Sequence, residues 1–193
     1  MLIETLHTTS LGFLGPRIQL GFVVKDLDAA LHYWTTSLKV GPFVVIENAV
    51  AGRCAIFRGS LTEMEITLAF AYVGDVQIEL IFQRNDAPSQ YHEFLDQGRE
   101  GLHHVGYWPA EFEAACLQLE ASGFTEASSI LSSDGKRIVV HYDSPPHIGA
   151  MVELVPFSEE RLNFLSKIRN LAEHWDGARP VRRYPSGEAF LKS

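Results

Sequence analysis

Four polar side chains occupy positions inside apolar, strand-like segments, and their types are those of metal ligands. Glu79 is flanked by Ile78 and Leu80, and Glu153 by Val152 and Leu154. Successive side chains of a β-strand point to opposite faces, so each glutamate lies on the face away from its apolar neighbours. A single glutamate in that setting is ordinarily solvent-exposed, because burying an unpaired charge is expensive. Here the slot recurs. Ile78-Glu79-Leu80-Ile81 aligns with Val152-Glu153-Leu154-Val155, and Gln19-Leu20-Gly21-Phe22 aligns with His104-Val105-Gly106-Tyr107. One amide oxygen, one imidazole nitrogen and two carboxylates form an oxygen-rich donor set suited to one divalent metal ion: Zn, Co, Ni, Mn or Mg. Two carboxylates neutralise such an ion and leave coordination positions open for water or a substrate oxygen, the condition for catalysis.

The alignment also chooses between adjacent histidines. His104 shares its parity with Gln19, which predicts that His104 faces the site and His103 faces away. The glycine two positions on, Gly21 or Gly106, suits a place where bulk must be kept from a ligand.

The elements that must carry these residues form a repeat. Arg17–Val24 reads as a strand. Asp26 caps a helix in which Leu27, Ala30, Leu31, Trp34 and Leu38 recur at helical spacing. Gly41-Pro42 ends it. Strands follow at Phe43–Ile46, Ile66–Val73 and Val76–Phe82, the last two joined by a tight turn at Gly74-Asp75. The second half repeats the order: strand Leu102–Trp108, helix Glu111–Ser122 stopped by Gly123, then strands Thr125–Leu131, Lys136–Tyr142 and Ala150–Val155. The extra length of the first half falls largely in Val50–Ser60, read as a loop or irregular strand. The predicted organisation is an N-terminal extension over 1–16, a first βαβββ module over 17–83, and a connection over 84–100 with a short helix at Gln90–Asp96. A second βαβββ module over 101–156 and a C-terminal helix and tail over 157–193 complete it. In that tail Ser158 caps a helix with Leu162, Leu165, Ile168, Leu171, Ala172 and Trp175 near one face. The helix is expected to pack on the back of the sheet or across a dimer. Arg182 and Arg183 beyond it suggest contact with an anionic group of a substrate. The fold class expected is α+β, two paired βαβββ modules that share one metal site.

Composition narrows the function classes. The formal net charge of −8 over 193 residues argues against nucleic acid, whose phosphates call for a basic face. No apolar segment approaches the length of a membrane span, and Met1–Pro16 lacks the basic start and cleavage site of a signal peptide. Cys54 and Cys116, both in apolar surroundings, are too few for a disulfide framework and read as inert buried thiols, which fits a reducing cytoplasm. The partner expected is a small molecule.

From Ile18 to Pro156 these residues resemble the vicinal oxygen chelate superfamily (glyoxalase, bleomycin-resistance and dioxygenase fold), whose paired βαβββ modules curl around a metal. Gln19-Leu-Gly-Phe-Val-Val-Lys-Asp-Leu27 looks like its opening strand and helix cap. Gly101-Leu-His-His104-Val-Gly and Phe94-Leu-Asp-Gln-Gly98 look most like the methylmalonyl-CoA epimerase and glyoxalase-like branch. The ligand set Gln19, Glu79, His104, Glu153 is that of some glyoxalase I enzymes, whereas the epimerases usually carry histidine where this chain has Gln19. The resemblance implies an isomerase, epimerase or lyase that removes a proton next to a carbonyl and stabilises the enolate with its metal, on an acyl-CoA thioester or 2-oxo compound. It implies Glu153 as ligand and base. It also implies a second acid/base ahead of the strand Ile66–Val73, where Glu63 falls nearest by register and Glu65 is its rival, although the glycine expected two positions later is absent. Homodimerisation fits the superfamily. Two alternatives remain at this level. A metal-free binder that sequesters small molecules has no use for the four ligands. An extradiol-type dioxygenase requires two histidines and a carboxylate around Fe(II).

Overall fold

The computed structural model describes residues 12–193, so most of the 1–16 extension lies outside the described residues. One mixed sheet of 11 strands organises the chain. In chain order the elements are β1 (Arg17–Val23), α1 (Leu27–His32, continued by a wider helical turn at Tyr33–Ser37), β2 (Phe43–Ile46), β3 (Cys54–Phe57), β4 (Ser60–Thr62), β5 (Ile66–Val73), β6 (Val76–Gln83) and α2 (Gln90–Asp96). There follow β7 (Gly101–Tyr107), α3 (Phe112–Ala121), β8 (Thr125–Leu131), β9 (Arg137–Asp143), β10 (Met151–Leu154), α4 (Glu159–Glu173), β11 (Val181–Tyr184) and α5 (Gly187–Leu191). Across the sheet the strands run β11-β2-β5-β6-β1-β7-β10-β9-β8-β3-β4.

The sheet is two mirrored halves joined at an antiparallel β1–β7 pair, so the modules pair within one chain. In each half the first strand is flanked by the last strand of its own module in parallel, β1 by β6 and β7 by β10. The outer face is covered as the helical periodicity requires. Leu27 and Leu31 of α1 pack on Phe43, Val45, Ala69, Ala71, Ile78 and Leu80, and Ala115, Cys116 and Leu119 of α3 on Val140, Tyr142, Val152 and Leu154. Asp26 and Ser89 cap α1 and α2 by accepting hydrogen bonds from the backbone N–H groups of Ala29 and His92. Inside the curl, Tyr91 and Phe94 of α2 join Val23, Ile66, Ile81, Ile130 and Val139. Among the described residues no helix is long and apolar enough to cross a membrane.

Two segments differ from the sequence reading. The Val50–Ser60 stretch contains strand β3, which turns into β4 through Arg58 and Gly59, both at positive φ (48° and 78°). That is the geometry of a two-residue hairpin turn twisted to match its strands. Arginine is an unusual first residue for it, which hid the signal; the Arg58 side chain is tied to Glu93 and Asp143. Strand β3 pairs not with its own module but with β8 at the far end of the second. The C-terminal helix differs too. Rather than packing on the back of the sheet, α4 lies on its inner face, where Phe164, Ile168, Leu171 and Ala172 meet Val44, Ile46, Phe70 and Tyr72 together with Phe190 of α5. After Trp175 the chain returns as β11, which extends the sheet in parallel beside β2.

Candidate metal centre

Strand register places the chemistry. At the β1–β7 junction Gln19 stands opposite Gly106 and Gly21 opposite His104, a two-fold exchange that reproduces the alignment of the repeats. The flanking parallel strands add Glu79 beside Gly21 and Glu153 beside Gly106. Neighbours in register share a face, so all four polar side chains point inward. Each is buried: Gln19 is 4% exposed, Glu79 6%, His104 0% and Glu153 5%.

They converge on one point. The Gln19 amide nitrogen donates to Glu79 Oε2 at 3.0 Å and to Glu153 Oε2 at 2.7 Å, and lies 3.3 Å from His104 Nε2. His104 Nε2 is in turn 3.4 Å from Glu79 Oε2 and 3.7 Å from Glu153 Oε2. The partial positive charge of the amide N–H groups thus sits among three ligand atoms. Rotating the terminal amide by half a turn, which interchanges its nearly isosteric O and N, would present its oxygen to the same centre. The glycines make room for this. A Cβ on Gly21 would stand 2.1 Å from the His104 ring, and one on Gly106 would stand 2.6 Å from Gln19 Cγ and 2.8 Å from Glu153 Oε2.

Two further imidazoles enter. His103 does not face away as alternation predicted. The β1–β7 pairing slips between Gly21↔His104 and Phe22↔Leu102, making His103 the extra residue of a β-bulge, and a bulge turns consecutive side chains toward one side. His103 is consequently 1% exposed, packed against Tyr91 and Phe94, with its Nδ1 3.1 Å from His104 Nδ1. The two Nδ1 atoms share one proton, and because His104 Nε2 must keep its lone pair to hold a metal, metal binding would place that proton on His104 Nδ1, donating to His103. His141 was missed altogether. It stands opposite Glu153 in the β9–β10 pair, 2% exposed, with Nε2 3.6 Å from Glu153 Oε1 and without a hydrogen-bond partner. Alternation within Val139-Val140-His141-Tyr142 carried the signal. The repeat comparison passed over it because the equivalent position in the first module is Phe70, opposite Glu79. His104, His141 and Glu153 each offer a ligand atom within 4.8 Å of the others.

The electrostatics are those of a centre rich in negative charge and poor in solvent. Burial above all, with Glu79 adding to it against the opposing pull of His104 and Arg161, drives the Glu153 carboxyl up to about 7. Burial would lower the His104 imidazole, but Glu153 and Glu79 outweigh it and hold it above its ordinary value. Burial, reinforced by His104, keeps His103 neutral with a pKa near 3, and His141 is likewise held well below the histidine range. A neutral imidazole keeps the lone pair a metal needs. The donor set, the unpartnered His141 nitrogen and the glycine clearances all fit a divalent ion.

Glu63 is not brought to this centre. On the stretch between β4 and β5 it is Met64 that turns into the core, while Glu63 and Glu65 are exposed. The Asn85 side chain bridges the two, donating to the Glu63 carbonyl and accepting from the Glu65 N–H, and Glu65 pairs with Arg84. Arg183 is likewise engaged elsewhere, with Asp28 and Glu47. The centre opens instead on a cavity of about 600 Å³, bounded by Gln19, Glu79, His141 and Glu153 on one side and by Arg161 and Phe164 of α4 on another.

Comparison with known proteins is consistent with this architecture. A methylmalonyl-CoA epimerase from Mycobacterium tuberculosis superposes with a TM-score of 0.55 at 18% identity, over 82% of this chain and 98% of that one. A hypothetical protein from Bacillus halodurans C-125 does so with a TM-score of 0.52 at 18% identity, over 75% and 95%. A Streptomyces coelicolor methylmalonyl-CoA epimerase variant in complex with 2-nitronate-propionyl-CoA gives 0.50 at 16% identity, over 75% and 95%. At such identities the likeness is one of fold. No curated protein matches the sequence. Residues 18–140 match the family model described as Glyoxalase/Bleomycin resistance protein/Dioxygenase superfamily, and with most of its length so matched the chain belongs to that superfamily, the vicinal oxygen chelate proteins.

Proposed function

We propose that the protein is a metal-dependent enzyme of proton transfer next to a carbonyl, an isomerase, epimerase or lyase. The observation that carries this reading is the convergence of Gln19, Glu79, His104 and Glu153 on one buried point at the wall of a cavity. These four would hold a divalent ion, with His141 beside them as a further donor. Bound there, the ion would supply Lewis-acid polarisation of a substrate carbonyl, so that the neighbouring C–H becomes acidic.

The chain's own groups do the rest. Glu153, held as a carboxylate by a bound ion, would be the base that accepts the proton and returns it, the role the superfamily resemblance implies. His141, neutral and 3.6 Å from Glu153 Oε1, is the nearest group able to exchange that proton. Glu63, to which the resemblance had pointed as second acid/base, lies exposed away from this centre. His103 fixes the orientation of His104, and the apolar lining from Ile66, Leu68, Phe70 and Phe164 limits water beside the acidic carbon. The substrate classes in keeping with the superfamily are acyl-CoA thioesters and 2-oxo compounds.

His141 favours one rival. With His104 and Glu153 it makes two histidines and one carboxylate, the set used by non-haem Fe(II) oxygenases. Glu79, a second carboxylate at 3.4 Å from His104 Nε2, weighs against it.

Metal analysis of protein purified without tag or chelator tests the metal centre. Solvent-deuterium incorporation into 2-oxo acids and acyl-CoA esters in D₂O then tests the proton transfer. Deuterium exchange that requires metal and is lost in Glu153→Gln is expected. Oxygen consumption with catechols in the absence of exchange would favour the oxygenase. Protein without metal, whose affinity for added metal is unchanged in Glu153→Ala, would leave a small-molecule binder.

A further inference from the structure

The cavity beside the metal centre holds polar groups that the proton-transfer chemistry does not use. Gln77 lies two residues before Glu79 on β6 and therefore on the same inner face. It is 1% exposed, it lines the cavity, and neither its amide oxygen nor its amide nitrogen has a hydrogen-bond partner among the described residues. A buried amide left unpaired is destabilising, so this one is placed to receive an atom of a ligand or water in the cavity.

Another part of the lining comes from the C-terminal helix. Arg161, on the first turn of α4, lines the cavity, and its guanidinium makes one hydrogen bond among the described residues, from Nη2 to the Ile138 carbonyl at 3.3 Å. Glu153, Arg53 and Glu79 are the charges it feels most, and none of them forms an ion pair with it. Arg53, from the stretch between β2 and β3, lines the same cavity, and its guanidinium donates to the Ala49 carbonyl at 3.5 Å. Once Glu79 and Glu153 are neutralised by a divalent ion, these two guanidinium groups outnumber the one remaining lining carboxylate, Glu160.

We propose that this cavity binds the carboxylate of an organic acid, received by Arg161 with Gln77 and Arg53, while the apolar part of the acid lies against Leu68, Phe70 and Phe164. A guanidinium fork matches a planar carboxylate in two parallel hydrogen bonds. A phosphate fits less well, because the first turn of α4 already carries Glu159 and Glu160 beside its N–H groups. The inference rests on the metal-centre reading for the other end of the substrate, and it makes that substrate an acid with an aryl or alkyl group rather than a neutral carbonyl compound. It also gives the tail, which lies outside the superfamily resemblance, a place in the site.

The test is calorimetric titration of full-length, Mn²⁺-loaded protein with phenylpyruvate, 2-oxooctanoate, phenylacetate and octanoate, each against its methyl ester, repeated after chelation. At least one acid is expected to bind tenfold or more tightly than its ester. Arg161→Gln should abolish that preference and Arg161→Lys should recover part of it. Gln77→Leu should weaken the acids severalfold, and Arg169→Gln, on the same helix but directed to the Asp75 carbonyl, should change nothing. If no acid outbinds its ester, or if the preference survives in Arg161→Gln, the acid site is overturned while Mn²⁺ binding still stands. An Arg161-dependent preference in protein that takes up no Mn²⁺ would instead retain the acid site and remove the metal reading.

Discussion

Replacing Glu153 by glutamine should have opposite effects on stability with and without metal. Without metal, Glu153 is a carboxylate in a buried site beside Glu79, and its pKa rises from 4.5 to about 7. The folded state therefore holds this proton more tightly than the unfolded chain. Stability from the group is fully present below about pH 4.5, is lost as pH rises through the folded value near 7, and stays lost above it. A difference of roughly two to three pKa units corresponds to about 3 kcal/mol. Glutamine keeps the volume and cannot ionise. At about pH 8 in chelator, Glu153→Gln should thus be more stable than the parent by about 2–3 kcal/mol, or roughly 5–10 °C in Tm for a chain of this size. With metal at about a hundred times its dissociation constant the parent should gain about 2.7 kcal/mol and the variant far less, reversing or closing the gap. Urea denaturation of both proteins, in chelator and in Mn²⁺ or Zn²⁺, measures all four values. A variant less stable than the parent in chelator, or one stabilised by metal as much as the parent, would refute the reasoning.

Other outcomes follow from the same geometry. Metal affinity should fall as pH drops below about 7, because binding must displace the proton that burial holds on Glu153; competition with a chromophoric chelator across that range reads it. Gly21→Ala sets a methyl group against the His104 ring and should weaken metal binding by at least about tenfold while destabilising the fold by about 1–3 kcal/mol, measured by titration and denaturation. His103→Leu should leave the fold intact yet lower metal affinity by about 10–100-fold, and nitrogen-15 spectra should show the His104 tautomer no longer fixed. Truncation before Ser158 uncovers Val44, Ile46, Phe70 and Tyr72; the shortened chain should aggregate or bind a dye for exposed apolar surface.

Much of the fold was legible because its signals are local. Apolar alternation, the Asp26 cap and the Gly74 turn each mark an element whose bounds the sequence reading reproduces within a residue or two. The relation between the halves was legible because one two-fold operation generates both, so Gln19 and His104, or Glu79 and Glu153, could be recognised as pairs. What escaped was whatever breaks that symmetry or depends on distant chain. The bulge at His103 is invisible to strict alternation, since one inserted residue re-aims its neighbour. His141 has Phe70 as its counterpart, so a search for repeated donors discards it. The tail reads as an amphipathic helix whichever side of a sheet it covers, and only the open inner face of the first module decides that it enters the trough.

The pairing of β3 with β8 carries a consequence that can be expressed as lengths. Eight strand-to-strand steps separate β2 from β3 in the sheet order. Laid flat, at about 4.8 Å for each step, they would place the two strands about 38 Å apart. The chain from Ile46 to Cys54 can stretch to only about 27 Å at roughly 3.4 Å per residue. A flat sheet is therefore incompatible with this connection; the arc must close until its chord is no longer than the segment that spans it. That segment is also part of the cavity wall, from Ala49 to Arg53. Its contour length sets an upper limit on the gape of the trough, so that residues added or removed there should widen or narrow the range of ligand sizes admitted without any change to the donor atoms.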